Sequence, residues 1–336
     1  MNKENSTTAP YLAHSSEINN TIVTKCSTNN LEPNDHLNLI SKKYPKAWKM
    51  VEGIRKISHL YEPSWCFASL GACKEITSVY QKRSGTDVTL GDNEALAALA
   101  AWRYTQGIYE FEENVYKALT QPGFKNNLPV EVIKTLPEWC VYIKTPNIGL
   151  IKGFFAHLDY DHMTNISQLC FLLDTGNDLY PVGLCLGEWD LKEGLVKYFC
   201  NLESVYQLNS EPKRCNELVK DALPIAEYCL MLMLYLCTEA PDIDRIENEL
   251  PIRPYPKKTK KGMRLFPPKK PKHWNVGSQL AKKIILPKEA TGKRHKSPTP
   301  HIRRGHYHGV WTGKRNSPDR KFIYNWWHPT VINAAA

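Results

Sequence analysis

No apolar run in this chain approaches the ~18 residues that a membrane-spanning helix needs. The longest, YCLMLMLYLC from Tyr228 to Cys237, is too short and reads as a buried helix. The first twenty residues, MNKENSTTAPYLAHSSEINN, lack the apolar centre of a secretory signal. These absences lead to the expectation of a cytoplasmic protein with no membrane partner. The 10 cysteines include no C-x-x-C pair, which argues against a cysteine-bound zinc. A disulfide scaffold is not expected of a chain this long; buried thiols in a reducing compartment are. P-loop, G-x-G-x-x-G, H-E-x-x-H and G-x-S-x-G signatures are all missing. No small-molecule cofactor and no metal site are therefore expected.

Acid is scarce in one part of the chain only. From Pro251 to Ala336 there are 21 lysines and arginines against two acids, Glu289 and Asp319, a balance of +19. The first 250 residues carry the other 23 bases and 32 acids, a balance of −9. A segment this basic attracts polyanions, of which nucleic acid and the ribosome are the commonest in a cell. The plainer alternative is that the basic part folds back on the acidic body.

What is present divides the 336 residues into four stretches. Residues 1–40 are polar and rich in Asn, Ser and Thr, and read as a disordered tail. Residues 41–250 read as an acidic α+β body. In it Trp48, Val51 and Ile54 recur at helical spacing, and WCFASLGACKEITSVYQKR forms a second helix. GDNEALAALAAWRYTQGIYEFEENVYKALTQPG reads as helical, with Gly107 as a kink or junction and Asp92 or Asn93 as the N-cap. EWCVYIKT, GLIKGFFAHLDYD and SQLCFLLDTGNDLYPVGLCLG supply strands of an antiparallel meander, turned at DTGND. Two further helices follow, the longer one carrying Pro224 as an expected kink or break. Residues 251–299 read as a basic Pro/Lys-rich linker, in which HWNVGSQLAKKI offers a strand and a short helix. Residues 300–336 hold two strand candidates, HIRRGHYHGVWT and KFIYNWWHPTVIN, which make a basic, aromatic closing hairpin expected to join the sheet.

The chemistry concentrates in that last stretch. On a strand, Arg304, His306 and His308 share one face, with about 6.5–7 Å between alternate residues. Two imidazoles and a guanidinium on one face are the groups a ribonuclease uses to move protons and hold a phosphorane. His306, His308 and Arg304 are thus the catalytic candidates if the chain is an enzyme. Arg303, Arg304, Lys314 and Arg315 offer phosphate contacts, and Tyr307 and Trp311 offer stacking surfaces for RNA bases. An H-x-H metal site would need further ligands from outside a nearly acid-free segment. The remaining reading is a sheet edge whose tryptophans are core and whose histidines are only polar neighbours. Asp159, Asp161 and His162 in HLDYDH are read as a turn after a strand rather than a cation site.

Several blocks carry a family resemblance. They are AWRYTQGIYEFEE, LPEWCVYI, IKGFFAHLD, LYLCTEAPDI, PHIRRGHYHGVWTG and WHPTVIN, in that order along most of the ordered chain. The chain resembles an anti-CRISPR family directed against type V-A systems, whose members suppress production of the effector nuclease. One departure is Tyr307, where the pattern would have tryptophan. The resemblance implies recognition of the effector's N-terminal nascent peptide, close to mRNA or ribosome, followed by loss of the mRNA. It leaves open whether the cutting is intrinsic.

Overall fold

The computed structural model describes residues 30–58, 62–89, 91–120, 127–148, 151–205, 212–260, 262–283, 301–303, 306–317, 320–327 and 330–332. The expected polar tail lies outside them as far as residue 29. Its last residues, however, begin helix α1 (Pro33–Lys43). Proline at the first helical position suits the start, and the Asp35 carboxylate accepts the Glu32 N–H at 3.0 Å. The helix docks through Ile40 and Leu37, which reach the core, and through a polar anchor as well. His36 Nε2 sits 3.0 Å from the buried carboxylate of Asp174.

Three further helices follow: α2 (Ala47–Ser58), α3 (Leu70–Ser84) and α4 (Gly91–Trp102). The Ser69 hydroxyl caps α3 by accepting from Ala72 N–H, and Gly85 ends it in the left-handed conformation, φ +61°. The alanines of α4 let it lie close against its neighbours, and the helix is buried nearly throughout.

The helix expected to run on through Gly107 stops at Trp102. The Trp102 indole donates to the Gly107 carbonyl at 2.9 Å, Gln106 takes a positive φ of 49°, and the chain enters strand β1 (Gly107–Phe111). Of the two readings of Gly107, kink or junction, the structure has the junction. A Cβ there would lie 2.5 Å from the Glu138 carboxyl, so only glycine permits this approach. Helices α5 (Glu113–Leu119) and α6 (Val130–Ile133) lead to the meander. It comprises β2 (Cys140–Ile148), β3 (Ile151–Asp161), β4 (Ile166–Asp174) and β5 (Leu179–Cys185). DTGND makes the β4–β5 turn, with Gly176 at φ +81°.

Helix α7 (Leu191–Val205) packs on α8 (Pro212–Leu236), which runs through Pro224 unbroken. The strands β6 (Lys257–Thr259) and β7 (Gly262–Arg264) pair as a small hairpin. Strand β8 (Lys272–Val276) and helix α9 (Ser278–Lys283) follow. Four short strands close the chain: β9 (His301–Arg303), β10 (His306–Thr312), β11 (Lys321–Trp327) and β12 (Thr330–Ile332).

The fold is α+β, built on a six-stranded sheet in the order β5-β4-β3-β2-β1-β8. It is mixed rather than purely antiparallel: β2 to β5 form the expected meander, but β1 runs parallel to both β2 and β8. The strand from the basic stretch earns its edge place by burying Trp274 and Val276. Helices cover both faces. Cys140, Tyr142, Phe155 and Leu172 pack toward α1 to α4; Val141, Phe154, Ala156 and Phe171 pack in the core that α5, α7 and α8 share. Two-sided burial is why FFA and CFLL read as unbroken apolar runs. Among the described residues no helix is long and apolar enough to cross a membrane.

Candidate nucleic-acid interface

Among the described residues, the four closing strands do not pair with the six-stranded sheet; β8 occupies the edge beside β1. They pair with one another. The β10–β11 ladder runs from His306↔Trp327 to Thr312↔Lys321, and the β9–β12 ladder from Thr330↔Arg303 to Ile332↔His301. Two residues separate the ladders on each strand, and the partner numbers keep one constant offset, so both belong to one hairpin in one register. Its tip is tightened by backbone bonds from Ser317 N–H to Lys314 O and from Arg320 N–H to Ser317 O.

Pairing in this register places His308 opposite Asn325 and diagonal to Trp327 on one face. The His308 ring rests on the Trp327 ring, centroids 4.8 Å apart, and its Nδ1 lies 3.2 Å from the Gly309 carbonyl. Trp311 is on the other face, with the Arg320 guanidinium 4.6 Å over its ring. Both indoles are exposed, Trp311 to 59% and Trp327 to 45%. Exposed indoles beside cationic side chains, as Trp311 is beside Arg320, have the surface on which nucleic-acid bases can stack. Lys314 and Arg315 are exposed at the tip.

Of the residues singled out from sequence, Trp311, Lys314, Arg315 and His308 therefore share one exposed hairpin. His306, Tyr307 and Arg303 lie on its strands by backbone register; Arg304 lies outside the described residues. Among the described residues no group of three His, Cys, Asp or Glu side chains could hold a metal ion. Asp161 closes the β3–β4 turn by accepting from Met163 N–H and the Thr164 hydroxyl.

The sequence reading missed a second basic surface. The stretch taken for linker contains the β6–β7 hairpin, where Lys257, Lys258, Lys260 and Arg264 are exposed beside Tyr255, Met263 and Phe266. The signal was there as KKTKKGMR, a glycine between two short runs, but the prolines around it read as linker. Arg253 fixes its base by donating to the carbonyls of Lys134 and Leu136. Part of the basic stretch does meet acid: Lys272 pairs with Glu249, and His273 lies against Glu110.

Inside the body, Glu94, Glu138 and His157 were missed, and Asp159, read as part of a turn, is a buried residue of β3. Burial pushes the carboxyls of Glu94 and Glu138 up to about 8 and that of Asp159 to about 7, so all three favour the neutral form. Asp159 accepts the Leu70 N–H at the start of α3, which fastens that helix to the sheet. Burial also lowers the His157 imidazole to about 4. An open cleft of about 530 Å³ lies between α2 and α3. Met50, Val79 and Tyr80 give it an apolar lining, and Lys46, Lys49 and Arg83 bring positive charge.

The comparisons with known proteins bear on most of the chain. The AcrVA2-like model, described as the Anti-CRISPR type V subtype A2 family, matches residues 109–334, from β1 to the closing hairpin. Protein FinQ of Escherichia coli is 25% identical over 261 residues, 69% of this chain and 74% of FinQ. The crystal structure of AcrVA2 superimposes with a TM-score of 0.57 at 24% identity, covering 88% of this chain and 97% of that one, a likeness of fold. With its sheet, its long helix and its basic hairpin all inside the matched span, the chain belongs to the AcrVA2-like family of type V-A anti-CRISPR proteins.

Proposed function

We propose that this protein inhibits a type V-A CRISPR system by lowering the amount of its effector nuclease in the host cytoplasm. In this reading the acidic body recognises the effector's N-terminal peptide as it is made, and the basic hairpins hold mRNA or ribosomal RNA nearby. Family membership supports the target. The observation that carries the RNA contact is the closing hairpin, with exposed Trp311 and Trp327, Arg320 over one ring, and Lys314 and Arg315 at the tip. The cleft between α2 and α3 suits a peptide that alternates apolar and acidic side chains. The His308 ring is engaged by Trp327, which favours a positioning role over proton transfer.

The test combines purified full-length protein with effector mRNA, with and without translating ribosomes. Loss of message is expected only during translation, and only when the encoded N-terminal peptide is in frame. Replacing Trp311 and Trp327 together by Ala should weaken RNA binding about tenfold or more, since each stacked base is worth ~1–3 kcal/mol. Equal loss from a frameshifted message would sink the peptide reading. If the protein alone cuts RNA, and His308→Gln abolishes cutting with folding and RNA binding unchanged, the hairpin is a ribonuclease site instead.

A further inference from the structure

Two thiols on the outer helix pair have a use that neither family membership nor the RNA surface absorbs. Cys200 on α7 and Cys215 at the start of α8 place their sulfurs 3.7 Å apart. Cys200 is exposed and Cys215 is buried. The other seven cysteines among the described residues are all buried. Burial raises the thiols of Cys66, Cys73, Cys140, Cys170 and Cys229 well above their ordinary value, and that of Cys237 to about 12. Those thiols are poor nucleophiles, since the thiolate is the reactive form.

We propose that Cys200 and Cys215 form a reversible redox modification site, oxidised to an intramolecular disulfide by a small-molecule disulfide of the glutathione class. The Cys200 thiolate attacks one sulfur of the oxidant, forming a mixed disulfide and releasing one small thiol. Cys215 then loses its proton and attacks the Cys200 sulfur, forming the internal S–S bond and releasing a second small thiol. The protein loses two hydrogens and two electrons, and the oxidant gains them as two thiols. The division of labour follows from exposure: the reachable sulfur is captured, and the buried one, already in van der Waals contact, resolves it. The bond closes a loop of 15 residues' separation and ties α7 to α8, so the oxidised form resists unfolding more than the reduced one.

The full-length protein is equilibrated in oxidised and reduced glutathione at graded ratios, quenched with acid, and its thiols counted after denaturation. Peptides are then mapped by mass spectrometry. The expected result is loss of two of the 10 thiols, a single Cys200–Cys215 cross-link, reversal by dithiothreitol, and a thermal midpoint several degrees higher when oxidised. Cys200→Ser, at an exposed position, should keep the fold and lose no thiols under the same conditions; Cys26→Ser should behave as the parent. A stable glutathione adduct on Cys200 without the internal bond would overturn the proposal. So would an unchanged thiol count, or a cross-link that persists in Cys200→Ser.

Discussion

Glu94 lies fully buried on α4, and its carboxyl is held neutral up to about pH 8 where an exposed one would ionise near 4.5. Asp159 and Glu138 behave alike, with values near 7 and 8. A raised carboxyl means that the folded state holds more protons than the unfolded chain, so stability falls as pH rises from about 4.5 through those values. His157, lowered to about 4, works in the opposite direction, but only between about 4 and 6.5. From pH 6.5 to 8 the carboxyls act alone, each able to remove up to about 1.4 kcal/mol per pH unit. The thermal midpoint should therefore drop across that window. Glu94→Gln should flatten the drop, because the amide keeps the shape and cannot ionise. A midpoint rising from pH 6.5 to 8, or an equal slope in Glu94→Gln, would show that these carboxyls do not govern the acid–base behaviour of the fold.

At the scale of elements, α1 is the case where a polar anchor adds to the little apolar area of Ile40 and Leu37. Asp174 accepts from the Tyr142 hydroxyl at 2.8 Å and from Gly176 N–H at 2.7 Å, and His36 completes the group. A chain starting at residue 30 should match the full chain in thermal midpoint. One starting at residue 44 should lose about 3 kcal/mol or more, because Asp174 keeps its burial and loses a partner; near-identical midpoints would show that α1 adds nothing. The same contrast explains what could be read in advance. The meander was legible because both-sided burial leaves apolar runs, and DTGND marks its turn. The closing hairpin was legible because its aromatics and cations alternate. Strand β1 was not, since IYEF lies between two helices and its pairing partners are β2 and β8, both distant in sequence. Helix α1 was hidden because a histidine and an aspartate so far apart leave no periodic trace. In the interface, Trp311, Lys314 and Arg315 were visible by composition; the β6–β7 hairpin was masked by its flanking prolines.

Across the whole molecule, charge is segregated but the chain is not. The +19 stretch enters the acidic body at β8, so the two halves cannot be cut at Pro251 without removing Trp274 from the core. A chain ending at Lys283 keeps the sheet while losing ten bases and two acids. Binding of the full chain to single-stranded RNA should fall steeply with salt, with a log–log slope of about −0.7 per phosphate contacted. The shortened chain should show a shallower slope and retain weak binding through β6–β7. Equal slopes would place the RNA surface elsewhere. The parallel pairing of Gly107–Phe111 with Lys272–Val276 has a consequence in time as well as in space. Close to half of the 336 residues must be synthesised between the two partners. During that interval β1 is a bare edge, open to pairing with any extended chain nearby. A ribosome that stops short of Lys272 releases a product that cannot finish its sheet, and such a product is headed for aggregation or proteolysis. The gene is all-or-nothing: premature stops anywhere upstream of β8 should behave as nulls, and none should persist as a partly active inhibitor.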